Sequence, residues 1–244
     1  MKAMVLAAGI GSRLKPLTDA KPKALVDIHG TPMLELVLRR LIAAGVDYAV
    51  VNVFHFPEQI EAFLKGRKNF GITIELSRET ELLDTGGGLK KAAPFLADDK
   101  PFFLHNVDVF SDVNLAMIYH RHQESGALAT LAVRARHSGR RLLFAGDGQL
   151  CGWEGRDGRT QWAGAPVKDA ERLAFDGIHV ISPALFGKLS EEGVFPIVGS
   201  YLRLAGQGEK IRAFRSDDYY WRDIGGLGKL EEVRRKRQPA ADER

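Results

Sequence analysis

Leu6-Ala7-Ala8-Gly9-Ile10-Gly11-Ser12-Arg13-Leu14, followed by Pro16-Leu17-Thr18 and by Lys21-Pro22-Lys23-Ala24-Leu25, is the stretch on which the fold turns. The apolar run Lys2 to Leu6 ahead of it has the length of one buried strand and empties into the glycines. A glycine-rich turn leaving a strand can aim backbone N–H groups at phosphate oxygens, and Arg13 and Lys23 add two cations. Residues Leu6, Ala7, Ala8, Gly9, Gly11, Ser12 and Arg13 are therefore candidate contacts for a phosphorylated ligand.

Two better-known phosphate loops do not fit. A Walker A loop needs Gly-Lys-Ser/Thr at its end, whereas Gly11 is followed by Ser12 and Arg13. A dinucleotide fingerprint needs a third glycine where Leu14 stands.

Outward from this loop, short apolar runs alternate with amphipathic stretches, the pattern of a parallel sheet with crossover helices. Strands are expected at Lys2 to Leu6, Tyr48 to Asn52, Ile72 to Leu76 and Phe102 to His105. Pro32 to Ala44 reads as a helix, with Leu34, Val37, Leu38 and Leu41 on one face and Gly45 as its stop; Pro57 to Leu64 reads as a shorter one. After Asp108 the rhythm changes to a helix over Asn114 to Glu124 and strands at Ala129 to Arg134, Leu142 to Phe144, Gln149 to Trp153 and Leu173 to Ile181. Gly155 to Lys168 has no periodicity and reads as an exposed loop. The fold class is thus α/β: a Rossmann-like open, mostly parallel sheet with helices on both faces, plus a mixed α+β part. One domain over 1–238 is expected, with a first part at about 1–112, a second part at about 113–238 and a polar tail at 239–244.

Composition agrees with an ordinary globular chain of 244 residues, 45% hydrophobic and 27% charged. The net charge of +4 is scattered among acidic residues, so neither nucleic acid nor a membrane is called for. The dense basic run Arg234, Arg235, Lys236, Arg237 reads as a solvated helix end. A single cysteine, Cys151, permits no internal disulfide and fits a reducing, cytoplasmic compartment; it reads as a packing residue. His120 and His122 show no metal spacing and read as surface residues, and His179 as structural.

Leu6 to Thr18, with Pro22-Lys23-Ala24-Leu25, closely resembles the signature of the sugar nucleotidyltransferase family, L-A-A-G-x-G-x-R-L-x-P-L-T followed by P-K-x-L. Every position is matched. The likeness continues in Thr85-Gly86-Gly87-Gly88, similar to the family's second glycine-rich loop, in Asn106-Val107-Asp108, where the family has N-G-D or G-D, and in Trp221-Arg222-Asp223-Ile224-Gly225, matching W-x-D-x-G. The resemblance implies transfer of a nucleotidyl group from a nucleoside triphosphate to a sugar 1-phosphate with release of pyrophosphate. It implies Arg13 on the leaving pyrophosphate, Lys23 on the α-phosphate, Gly86 and Gly87 at the nucleotide, and Asp108 and Asp223 as ligands of Mg²⁺. Gly88, Asn106, Gly152 and Gly177 are then expected beside the sugar.

Sugar recognition is less legible. The Glu-Lys-Pro stretch of relatives with glucose-type substrates is replaced by Val167-Lys168-Asp169-Ala170-Glu171, while Phe175-Asp176-Gly177-Ile178 resembles the F-x-G-I segment of short uridylyltransferases acting on N-acetylmuramate 1-phosphate. With few residues after Asp223, the β-helix of longer relatives is not expected. UTP with N-acetylmuramate 1-phosphate or a related hexose 1-phosphate is the first expectation, for a monomer or small homo-oligomer. Guanylyl or cytidylyl transfer, a non-catalytic regulatory relative and a dinucleotide-dependent oxidoreductase stay open.

Overall fold

The computed structural model describes residues 1–235. The chain forms β1 (Lys2–Leu6), the hairpin strands β2 (Asp27–Ile28) and β3 (Thr31–Pro32), α1 (Met33–Ala43), β4 (Tyr48–Val53), α2 (Pro57–Gly66) and β5 (Thr73–Arg78). Then come α3 (Asp84–Lys91), the one-turn α4 (Ala93–Leu96), β6 (Phe102–Asn106), β7 (Val109–Ser111) and α5 (Leu115–Ser125). The remainder is β8 (Ala129–Arg134), β9 (Arg141–Phe144), β10 (Leu150–Glu154), β11 (Thr160–Trp162), β12 (Glu171–Ile181), α6 (Ile197–Gly206), β13 (Ile211–Arg215), β14 (Trp221–Asp223) and α7 (Leu227–Arg235).

One sheet carries both halves, in the order β11-β10-β9-β12-β6-β1-β4-β5, with β8 on β12 and β13 on β8. The strands β6, β1, β4 and β5 are parallel, with Leu6 level with Asn52 on one side and Asn106 on the other. Alternation along these strands sends Ala3, Val5, Ala49 and Val51 into the core under α1 and α2. Met4, Val50, Phe102 and Leu104 point to the opposite core, shared with α3 and α6. Strand β12 pairs antiparallel with β6, β8 and β9, and β13 adds in parallel to β8.

The chain runs β1 to β4 to β5 on one side of β1 and then crosses back to β6 on the other. This reversal leaves a crevice at the carboxyl ends of β1 and β6, the place where open α/β sheets bind ligands.

Three local readings change. Gly155 to Lys168 is not wholly loop, because Thr160 to Trp162 pair antiparallel with β10. A Gly155–Gly158 turn closes that hairpin, and a strand of three residues is too short to show a period. His122 is 1% exposed and spans Thr130 and Ser182, since two residues along a helix turn it away from exposed His120 into the core. Arg234 reaches the Asp27 carbonyl at 2.7 Å and so is not a solvated charge, whereas Arg235 is exposed; Lys236, Arg237 and the tail 239–244 lie outside the described residues. No helix among the described residues is long and apolar enough to cross a membrane.

Candidate active site

The glycine loop leaves β1 and turns sharply at Gly11, whose φ of +72° is a left-handed conformation. A Cβ there would sit 2.9 Å from Thr18 Cγ2 and 3.0 Å from Lys23 Cβ, so glycine satisfies both the dihedral and the packing. Thr18 Oγ1 donates to the Gly11 carbonyl at 2.9 Å and closes the loop on itself. The N–H of Ala7 is taken up by Asn52 Oδ1 at 2.6 Å. Those of Ala8, Gly9, Ile10 and Gly11 find no partner among the described residues, which leaves a run of donors at the mouth of the crevice. Backbone donors in this arrangement suit a phosphate.

Asp108 follows β6 by two residues, and Asp223 ends β14, far along the chain. The ribbon of β7 with β14 joins them: Asp223 is level with Val109, and the Ile224 N–H donates to the Asp108 carbonyl at 2.8 Å. The convergence is sharpest around Gly225. A Cβ on this buried glycine would lie 2.8 Å from Asp223 Oδ1, 3.1 Å from Asp108 Oδ2 and 2.8 Å from Arg13 Nη2. Both carboxylates and one guanidinium thus crowd a single point.

Lys23 Nζ donates to Asp108 Oδ2 in a short contact, with side chains only 12% and 17% exposed, so little water screens the pair. Burial pushes the Asp223 carboxyl up, but the Lys229 ammonium, the Gly225 N–H and the charge of Lys23 together hold it below the usual aspartate value. Lys229 Nζ and Gly225 N each lie 2.7 Å from an Asp223 oxygen. The Asp223 carboxylate is thus kept ionised, and both carboxylates face a lysine ammonium.

Beside this cluster lies a cleft of about 450 Å³ whose lining includes Ala8, Gly9, Lys23, Glu79, Leu82 and Asp108. Its floor is a buried network: Asn52 Nδ2 donates to Glu79 Oε1 at 2.7 Å, and the Leu83 N–H donates to Glu79 Oε2 at 3.1 Å. Asn52 therefore ties the loop after β1 to the segment ahead of α3. A second cavity of about 620 Å³ adjoins it and shares Asp84, Thr85 and Asn106 in its lining. Its walls come from the second half of the chain, among them Arg140, Trp153, Phe175, His179 and Ile197.

The expected site residues divide. Leu6, Ala8, Gly9, Lys23 and Asp108 line the first cleft, Asn106 lines both cavities, and Arg13 and Asp223 meet at Gly225; Ser12 is an exposed residue of the loop. Ala7 stands behind the loop, held by Asn52. Gly86, Gly87 and Gly88 are buried in the first turns of α3, not in a loop, and their missing side chains face other parts of the protein. Gly86 abuts Phe195, Gly87 abuts Gly193, and a Cβ on Gly88 would lie 2.8 Å from Glu79 Oε1. Close packing of the Gly193 to Phe195 segment explains the first two without any ligand. Gly177, at φ +77°, backs Asn106, and Gly152 lies against Trp162; neither reaches a cavity wall itself. His179 is buried with Nδ1 2.9 Å from the Tyr201 hydroxyl, and Cys151 is buried against the Leu143 carbonyl with its thiol pushed up by burial.

Gly225, Asn52, Glu79, Lys229 and Arg140 are contributions that sequence reasoning did not single out. Gly225 had a signal, since it closes the quoted W-x-D-x-G. The others sit at unpatterned positions.

A profile of the family described as nucleotidyl transferase matches residues 2–141. This chain belongs to the nucleotidyl transferase family. Among its relatives is the N-acetylmuramate alpha-1-phosphate uridylyltransferase of Caulobacter vibrioides, 34% identical over 223 residues, covering 84% of this chain and 85% of that protein. A mannose-1-phosphate guanyltransferase of Gibberella zeae is 44% identical over 135 residues, covering 54% of this chain and 37% of the relative's length. One from Yarrowia lipolytica is 31% identical, covering 92% and 61%. The chain therefore covers less than two thirds of the length of either guanyltransferase. Among solved structures, HddC from Yersinia pseudotuberculosis superposes with a TM-score of 0.74 at 20% identity, covering 97% of this chain and 99% of the other. A UDP-glucose pyrophosphorylase complexed with UDP-glucose does so with 0.76 at 18%, covering 96% of each. These two likenesses concern the fold.

Proposed function

We propose that this nucleotidyl transferase family member makes a nucleoside diphosphate sugar and pyrophosphate from a nucleoside triphosphate and a sugar 1-phosphate, with UTP and N-acetylmuramate 1-phosphate as its preferred pair. The observation that carries the reading is the meeting of Arg13, Asp108 and Asp223 around Gly225, with Lys23 on Asp108. Cations and carboxylates stand together beside a loop whose N–H donors have no partner among the described residues. Residues 1–238 act as one domain in this reading, the first part taking the nucleotide and the second the sugar, in the cytoplasm.

The sugar phosphate already bears an anionic oxygen, so the reaction needs positioning and charge neutralisation more than a base. That oxygen attacks the α-phosphorus. The bond from the α-phosphorus to its bridging oxygen breaks, and the electron pair leaves with pyrophosphate. Lys23 balances charge on the α-phosphate in the transition state, Arg13 holds the departing pyrophosphate, and the N–H groups of Ala8 to Gly11 receive the phosphate chain.

The donor set suits magnesium. Two carboxylates without nitrogen or sulfur ligands leave the rest of an octahedral shell to water and phosphate oxygens. Asp108 and Asp223 would hold the ion, which when bound supplies positive charge to the phosphate oxygens.

Pyrophosphate release from UTP, GTP, CTP and dTTP, each against the 1-phosphates of N-acetylmuramate, N-acetylglucosamine, glucose and mannose with magnesium, tests the proposal. The pair UTP and N-acetylmuramate 1-phosphate should give the highest kcat/KM. Absence of release from every pair, with nucleotide still bound, would mean a regulatory protein. The 44% identity to a guanyltransferase supports a second reading, in which GTP outruns UTP.

A further inference from the structure

We infer that Arg140 is the specificity residue of the second cavity and binds a carboxylate carried by the sugar away from C1, the lactyl carboxylate of N-acetylmuramate 1-phosphate. The inference rests on the nucleotidyl transfer proposed above.

Two arginines line this cavity, and their surroundings differ. Arg141 is committed to Glu154, whose other oxygen takes Arg172 at 3.0 Å. Arg140, directly before β9, pairs with no carboxylate among the described residues; only its backbone N–H is engaged, by Ser138 Oγ at 3.3 Å. The single acidic residue of the lining, Asp84, sits on the boundary shared with the catalytic cleft. The rest of the wall is largely apolar, including Leu142, Trp153, Phe175, Ile197 and Leu202. Arg140 is an exposed residue whose guanidinium has no carboxylate partner among the described residues, so its planar fork is free to take a carboxylate of the ligand in two parallel hydrogen bonds.

The anion is not the reacting phosphate. Lys23 and Asp108 line the neighbouring cleft and not this cavity, whereas Arg140 lines the cavity and not the cleft. With the 1-phosphate at the shared boundary, the sugar extends away from it and brings its substituents toward Arg140. Arg140 also lines the open groove beside the β10–β11 hairpin and so stands at the cavity mouth, where an extended substituent ends. N-acetylglucosamine 1-phosphate differs from N-acetylmuramate 1-phosphate only by lacking the lactyl ether. Glucuronate 1-phosphate carries its carboxylate at C6 instead.

The test compares these three sugars on the parent protein, Arg140→Gln and Arg140→Lys. In Arg140→Gln the kcat/KM ratio of the muramate sugar to the glucosamine sugar should fall by about three- to fivefold, the upper part of the range for an exposed ion pair. Most of the loss should be in KM, because the contact is equal in ground and transition states, and Arg140→Lys should recover part of it. A ratio within twofold of the parent's overturns the inference. So does a loss confined to glucuronate 1-phosphate, which would move the carboxylate to C6. If the parent turns over none of the three, the transferase reading fails, and calorimetric Kd values for the same sugars decide Arg140 alone: preference for the muramate sugar that vanishes in Arg140→Gln upholds it, and equal Kd values in parent and variant refute it.

Discussion

The half of the molecule that holds the glycine loop and the half that builds the second cavity are organised by different rules. In the first, β1, β4, β5 and β6 are parallel, and their carboxyl ends present ligand groups along one edge. Arg13 and Lys23 belong to one local motif there. In the second, the cavity wall is gathered from the residues before β9, from the antiparallel strands β9, β10 and β12, and from the helix α6. A shared reaction needs its charges at fixed places, which a motif can encode. The wall proposed to select the sugar has no such constraint on spacing.

The largest expected effect breaks the first half. Lys23→Ala and Asp108→Ala should each lower kcat on the order of 10²-fold or more, about 2.7 kcal/mol, as for loss of one preorganised charge partner. Steady-state pyrophosphate release measures this. Folded variants within a few-fold of the parent would show the chemistry to lie elsewhere.

Gly225→Ala sharpens the same point, because its methyl would enter the space between Arg13, Asp108 and Asp223. A fall in kcat of about tenfold or more is expected, with circular dichroism unchanged. Full activity would show that the three charges need not converge.

Glu79→Ala removes the acceptor of both Asn52 Nδ2 and the Leu83 N–H. Stripping one partner from a buried network costs about 1–3 kcal/mol, so the urea midpoint should drop. Nucleotide affinity should weaken as well, because the loop after β1 loses its brace. An unchanged midpoint would make the network ornamental.

His122, in the second half, gives a pH test. Burial pulls its pKa down to about 4 from the ordinary 6.5. Between those values the unfolded chain binds a proton that the folded one refuses, so stability is lost as pH falls from about 6.5 to about 4. His122→Gln should flatten that part of a urea-midpoint profile between pH 7 and 4.5; an equally steep profile would assign the loss to other groups. The smallest effect belongs to Arg235→Ala, on the exposed end of α7, which should leave turnover unchanged and stability within about 0.5 kcal/mol.

The alternation of apolar runs and amphipathic helices determined the parallel strands nearly to the residue, because strands buried on both faces must be continuously apolar. The motif from Leu6 to Leu25 carried Arg13 and Lys23, since a tight loop depends on near neighbours: Gly11 is glycine because Thr18 and Lys23 pack against it. Asp108 and Asp223 were each visible as motif members, but 115 positions of chain separate them, and only the β7–β14 ribbon decides that they meet. The same holds for Gly86 and Gly87 of α3. Their identity is local, but its cause, the Gly193 to Phe195 segment lying on them, is a tertiary contact with no trace in their own neighbourhood. His122 and Arg140 mark the limit. Sequence placed a histidine on a helix and an arginine before a strand, and only packing made one a buried neutral ring and left the other a guanidinium without a partner.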